Sequence, residues 1–119
     1  MYIHFILYFL RTIKGGNTSE IKMQYITIPG TVVLSCQYEE FPTLRWRQRN
    51  FIISQDSTIN PAFNGSERFR ATIKEKDKQY ELQTLNTTEE DLGLYICEAQ
   101  LNSIIIETKV ILRLAGKII

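Results

Sequence analysis

Apolar and polar residues alternate with a period of two over many short runs of this chain, and turn-forming residues separate the runs. That pattern predicts strands buried on one face, because helical apolar positions recur every three or four residues instead. A first strand is expected over residues 22–28, ending at the Pro29-Gly30 turn. The run Val32-Val33-Leu34-Ser35-Cys36 then sets Val32, Leu34 and Cys36 on one face. Over residues 44–49, Leu44 and Trp46 turn to the core, so Arg45, Arg47 and Arg49 project from the opposite face as a basic stripe. A short strand at 50–53 is followed by a polar loop over 55–67 that holds Pro61 and the Gly65 turn. Strands at 68–73 and 79–85 flank the charged tip Lys74-Glu75-Lys76-Asp77-Lys78, with Tyr80 and Leu82 inward. Tyr95 and Cys97 point inward and Leu94, Ile96 and Glu98 outward, while the last strand alternates Val110, Leu112 and Leu114 inward. Short strands with regular turns and no repeats predict an all-β sandwich.

Length limits this to one core, since 119 residues is near the usual size of a single domain. An apolar content of 44% suffices for a folded globule. With 14 Lys plus Arg against 13 Asp plus Glu, the net charge of +1 provides no global field for nucleic acid or an anionic membrane.

Cys36, Trp46 ten residues later, and Asp91-Leu92-Gly93-Leu94-Tyr95-Ile96-Cys97 occur in an order that resembles the immunoglobulin superfamily over residues 20–114. The resemblance implies an immunoglobulin-like sandwich of two antiparallel sheets with Greek-key order and seven to nine strands. It implies a Cys36–Cys97 disulfide between the sheets, Trp46 packed beside it, Tyr95 as a tyrosine corner, and Leu34 and Leu82 in the core. The cysteines lack zinc spacing and form no C-x-x-C pair, which agrees with a structural bridge. The 60 residues between them suit a slightly trimmed variable-type domain. Arg68 before Phe69, 23 residues ahead of Asp91, resembles the ion pair that closes the lower end of variable-type domains.

Residues 60–69 and Leu92-Gly93-Leu94-Tyr95 are similar to novel immune-type receptors and T-cell-receptor-like variable domains. The sequence departs from antigen receptors in three places. Asn102-Ser103-Ile104-Ile105-Ile106 stands where a Phe-Gly-x-Gly bulge would be, and Arg49 stands where paired domains have glutamine. Thr84 and Thr87 occupy positions that are usually apolar, so a bulge near Leu85 is expected to restore the register.

A disulfide persists in an oxidising compartment, which points to an extracellular protein, secreted or at the cell surface. Three N-x-S/T tripeptides, at Asn17, Asn64 and Asn86, are candidate glycosylation sites. Residues 2–10 form an apolar stretch about as long as a signal-peptide core, without the basic start, and cleavage near Gly15 or Gly16 would assign 1–16 to a leader. The alternative is a retained strand packed on the sandwich. Residues 115–119 read as the start of a linker or tail, with no membrane span in the sequence. A protein secreted whole and an ectodomain whose membrane helix lies beyond residue 119 both fit.

The only histidine, His4, lies in the expected leader, so no Ser-His or Cys-His nucleophile pair can be assembled in a mature domain. No cofactor or metal motif is present. The carboxylates Glu39-Glu40 and Glu89-Glu90-Asp91 read as solvated charges, and three alternating arginines without aromatics do not make a nucleic-acid surface. A non-catalytic recognition module remains, with a protein ligand or receptor ectodomain as partner. The face built from strands C, C′, F and G, with the FG loop, would present Arg45, Arg47, Arg49, Ile96, Glu98, Ile104 and Ile105. Two alternatives stand beside this: Glu98 neutralises the arginines across the sheet, and residues 104–106 are a buried strand start. A homodimeric or multi-domain adhesion module is the competing function.

Overall fold

The computed structural model describes residues 10–14, 17–40 and 42–115, with side chains from residue 21 onward. Ten strands are formed among them: β1 (Leu10–Lys14), β2 (Asn17–Ile26), β3 (Val32–Gln37), β4 (Thr43–Gln48), β5 (Phe51–Gln55), β6 (Thr58–Ile59), β7 (Phe69–Lys74), β8 (Gln79–Thr84), β9 (Gly93–Leu101) and β10 (Ile104–Leu114). Seven build one sheet in the order β1-β2-β10-β9-β4-β5-β6, and three build the other in the order β3-β8-β7. Short 3-10 turns at Ser66–Arg68 and Glu89–Asp91 lead into β7 and β9.

Period-two alternation decides what is buried. Val32, Leu34 and Cys36 of β3, Tyr80 and Leu82 of β8, and Phe69 of β7 face Leu44 and Trp46 of β4, Tyr95, Cys97 and Ala99 of β9, and Val110 and Leu112 of β10. At the centre, the Cys36–Cys97 disulfide joins the two sheets, with Cα atoms 6.6 Å apart. Trp46 is the ladder partner of Cys97, and Tyr80 is the ladder partner of Cys36. The two rings therefore meet across the same gap as the sulfurs, stacked with centroids 5.8 Å apart. The Tyr80 hydroxyl continues across the core, donating to the Asp56 carbonyl at 2.6 Å and lying 2.8 Å from Ser54 Oγ. Burial pushes that phenol's pKa up, so it stays a protonated donor.

Several elements differ from the sequence-based expectation. The first strand starts earlier and runs parallel to β10 from Thr18 to Ile26. Arg49 lies beyond the end of β4, in a turn with φ 43°, so it is no part of the strand stripe. Leu114 is 44% exposed instead of inward, because it sits beyond the covered part of the sheet. No bulge interrupts β8, which pairs with β3 in unbroken register to Thr84. Thr84 and Thr87 are instead fully buried as they stand. The register shift occurs between β4 and β5, where Trp46 faces Ser54 and Arg47 faces Ile52. The skipped residue, Ile53, enters the core. Residues 1–9, 15–16 and 116–119 of the expected leader and tail lie outside the described residues. Leu10–Lys14 pairs antiparallel with β2.

With β2 committed to the larger sheet, β3 becomes an edge of the smaller one. Side chains of β2 cover that edge: Lys22 Nζ donates to the Ser35 carbonyl at 3.1 Å, and Gln24 Nε2 to the Val33 carbonyl at 3.2 Å. An uncovered edge offers carbonyls and N–H groups to another polypeptide. Replacing both residues, Lys22→Ala with Gln24→Ala, is expected to give concentration-dependent association in sedimentation velocity. A double variant that sediments like the parent at every concentration would show that these side chains do not guard the edge.

Candidate functional site

The outer face of the seven-stranded sheet carries a charged ladder built by the strand registers. Arg45 pairs with Glu98 and Glu98 with Glu107, so these residues form one row across β4, β9 and β10. Arg47, Ile96 and Lys109 form the next. Arg47 binds Glu98 through Nε and Glu107 through Nη2, both at 3.1 Å. Arg45 lies 3.7 Å from Glu98, and Lys109 lies 4.0 Å from Glu107. Three cations against two carboxylates leave one net positive charge, and partial exposure keeps each pair weak.

Ile96 requires a correction. It alternates with the inward Tyr95 and Cys97 and is absent from the core cluster, so it faces outward, yet it is only 5% exposed. Its ladder neighbours are Arg47 and Lys109, whose aliphatic stems are long enough to cover an isoleucine. A partner approaching this face meets charged heads before Ile96. Exposed apolar surface is found elsewhere: Phe51 is 70% exposed and Ile52 also stands free at the start of β5. Arg49 is exposed beside them in the β4–β5 turn, where its carbonyl accepts a hydrogen bond from Arg47 Nη1 at 2.7 Å. Ile104 is 47% exposed at the β9–β10 turn, and Ile105 and Ile106 are half-buried. Sequence reasoning does not single out Phe51 and Ile52, because a strand at 50–53 carries no indication of which face each residue takes. The usable signal is an apolar pair directly after a turn.

At the lower end, Arg68 clasps Asp91 with two parallel hydrogen bonds, Nη1 to Oδ2 and Nη2 to Oδ1, each 2.8 Å. Arg68 also donates to the Leu85 carbonyl at 3.1 Å. Asp91 is buried and closes a capping box, accepting from the Thr88 N–H at 2.9 Å. The Tyr95 hydroxyl donates to the Asp91 carbonyl at 2.5 Å, so one residue ties the clasp to the core. Burial raises the Asp91 carboxyl, but the bonds from Arg68 and Thr88 outweigh it and hold the carboxyl below its ordinary range. The same pairing raises the Arg68 guanidinium.

Asn64 and Asn86 are exposed, the latter at φ 48°, while the Asn17 side chain lies outside the described residues. Among the described residues no group of three His, Cys, Asp or Glu could hold a metal, and no helix is long and apolar enough to cross a membrane. Glu39, Glu40, Glu89 and Glu90 are exposed. His4 lies outside the described residues.

No family model and no curated protein matches the sequence. Solved structures do match. One partner of the ZIG-8–RIG-5 IG1–IG1 heterodimer is 13% identical with a TM-score of 0.67, the match covering 79% of this protein and 82% of that one. The second Ig domain of the mouse polymeric immunoglobulin receptor is 19% identical with a TM-score of 0.63, covering 82% and 99%. The protein has the immunoglobulin fold. In immunoglobulin terms β3, β8 and β7 are strands B, E and D, and β4, β9 and β10 are C, F and G. Tyr95 has the tyrosine-corner bond to backbone upstream, and Trp46 of strand C stands beside the B–F bridge.

Replacing Asp91 with Asn removes one charge of the clasp and should lower unfolding free energy at neutral pH by about 2 kcal/mol. That is below the range for fully buried pairs because Arg68 is 26% exposed. A depressed carboxyl contributes stability that is complete above its ordinary value and is lost as pH falls through the folded one. Urea unfolding followed from neutral pH into acid should therefore give a flatter profile for Asp91→Asn than for the parent. Equal slopes would remove Asp91 as a source of acid sensitivity.

Proposed function

We propose that this protein is a variable-type, extracellular protein-recognition domain that binds another protein ectodomain through the outer face of its larger sheet and does no chemistry. The variable-type reading is supported by β5 and β6, which extend that sheet beyond strand C as C′ and C″ do. The Cys36–Cys97 bridge and the N-x-S/T tripeptides whose asparagines, Asn64 and Asn86, are exposed support placement outside the cell, secreted or membrane-tethered. Asn17 belongs to the same proposal as a third glycan site.

The observation that carries the reading is exposed Ile52, the ladder partner of Arg47 on this face, with exposed Phe51 next to it at the sheet's border, beside a ladder in which both carboxylates are paired. Apolar surface next to arginines has the composition of an interface centre. Ile52 and Arg49 form the anchor, and Phe51, paired with Gln48 on the opposite phase, adds apolar surface at the border. Arg45, Arg47 and Glu98 supply a rim, and Ile104 and Ile105 contribute from the β9–β10 turn. Because Arg45 and Arg47 are internally paired, affinity comes from apolar burial and shape more than from steering.

A homophilic or adhesive contact is the second reading. Its adhesive form, a contact with a different immunoglobulin domain, is favoured by likeness to a protein whose solved form is an IG1–IG1 heterodimer.

Binding of the glycosylated domain to an array of purified immunoglobulin-fold ectodomains, this protein included, separates the readings. Ile52→Asp should weaken the detected complex by at least roughly tenfold, the loss of about 1.4 kcal/mol from a modest hot spot. Unchanged affinity in that variant would move the site off this face. Capture only by its own copy, with dimers in sedimentation equilibrium, would select adhesion.

A further inference from the structure

We infer that Asn64 is a site of spontaneous deamidation, a modification that competes with its glycosylation. Asn64 is exposed, and the residue after it is Gly65, which has no side chain to shield its amide nitrogen. In this loop Phe63, Ser66 and Arg68 N–H groups donate to Asn60, Phe63 and Gly65 carbonyls, and the Gly65 N–H has no hydrogen-bond partner among the described residues. An exposed primary amide therefore stands beside an uncommitted backbone nitrogen.

The step is intramolecular. The Gly65 nitrogen attacks Asn64 Cγ and a new bond forms between them. The bond from Cγ to Nδ2 breaks, and Nδ2 leaves as ammonia, carrying away the proton released by the backbone amide. Water then opens the five-membered imide at either carbonyl, giving aspartate or isoaspartate. No oxidation or reduction occurs. A glycan joined to Nδ2 shields the same amide and replaces the small leaving group with a bulky one, so occupied Asn64 is protected.

The position also gives the reaction a structural consequence. A methyl group placed at Gly65 would lie 3.3 Å from Arg68 Nη2, and the Gly65 carbonyl accepts the Arg68 N–H at 3.0 Å. An isoaspartate lengthens the backbone by one methylene directly before this contact and adds a carboxylate near the guanidinium that holds Asp91. Conversion should loosen the lower clasp.

The test uses the full-length protein made without glycosylation and with its disulfide formed, held in mildly alkaline buffer and mapped by peptide mass spectrometry. Isoaspartate is detected by enzymatic methyl transfer. Asn64 should convert at least roughly tenfold faster than Asn102, which precedes Ser103, a barrier difference of about 1.4 kcal/mol. Equal rates at the two asparagines would overturn the inference. In glycosylating cells, Ser66→Ala removes the acceptor tripeptide and keeps the Asn-Gly pair. More conversion at Asn64 than in the parent is expected, and equal conversion would overturn the competition.

Discussion

The Cys36–Cys97 bridge is the constraint on which the rest of the molecule depends, because it links a seven-stranded sheet to one of only three strands. Closing a loop of 61 residues removes unfolded-state freedom worth about 4 kcal/mol in the chain-entropy model, a large share of a small domain's net stability. The registers explain why the bridge is also a packing centre. Trp46 beside one cysteine and Tyr80 beside the other must meet when the sulfurs meet. Tyr80 then reaches Ser54 and Asp56, so the same centre holds the hairpin of β5 and β6 that borders the proposed binding face.

Electrostatics on this protein serve structure more than attraction. The arginines of β4 are engaged by Glu98 and Glu107, and Arg68 is engaged by Asp91. Exposed on the larger sheet's border are the apolar Phe51, Ile52 and Ile104, with Arg49 beside the first two. A surface of this kind discriminates by fit, which agrees with a module that recognises a folded partner.

Much of the fold is legible in the sequence because its signals are local and periodic. Trp46, Leu34, Leu82 and Tyr95 each fall on the inward phase of a strand, and the phase is readable from neighbours two residues away. The Arg68–Asp91 clasp is expected only through the resemblance to variable-type domains, and its bidentate geometry agrees with that expectation. What periodicity cannot reveal is what covers an outward residue. Ile96 has the outward phase and is nevertheless buried, flanked on the two adjacent strands by Arg47 and Lys109, whose side chains are long enough to cover it. Nor does the sequence say which sheet the first strand joins, a choice made by tertiary pairing, and that choice leaves the edge of β3 to be covered by Lys22 and Gln24. Phe51 is hidden for a related reason: the register shift opposite Trp46 resets the faces of β5.

The most direct test of the central claim is urea unfolding of the full-length protein before and after reduction, with free thiols titrated in the unreduced protein. Unreduced protein should show no reactive thiol even when unfolded, and reduction should lower the unfolding free energy by about 4 kcal/mol. Two titratable thiols in the unreduced protein, or an unfolding midpoint that reduction leaves in place, would contradict the account.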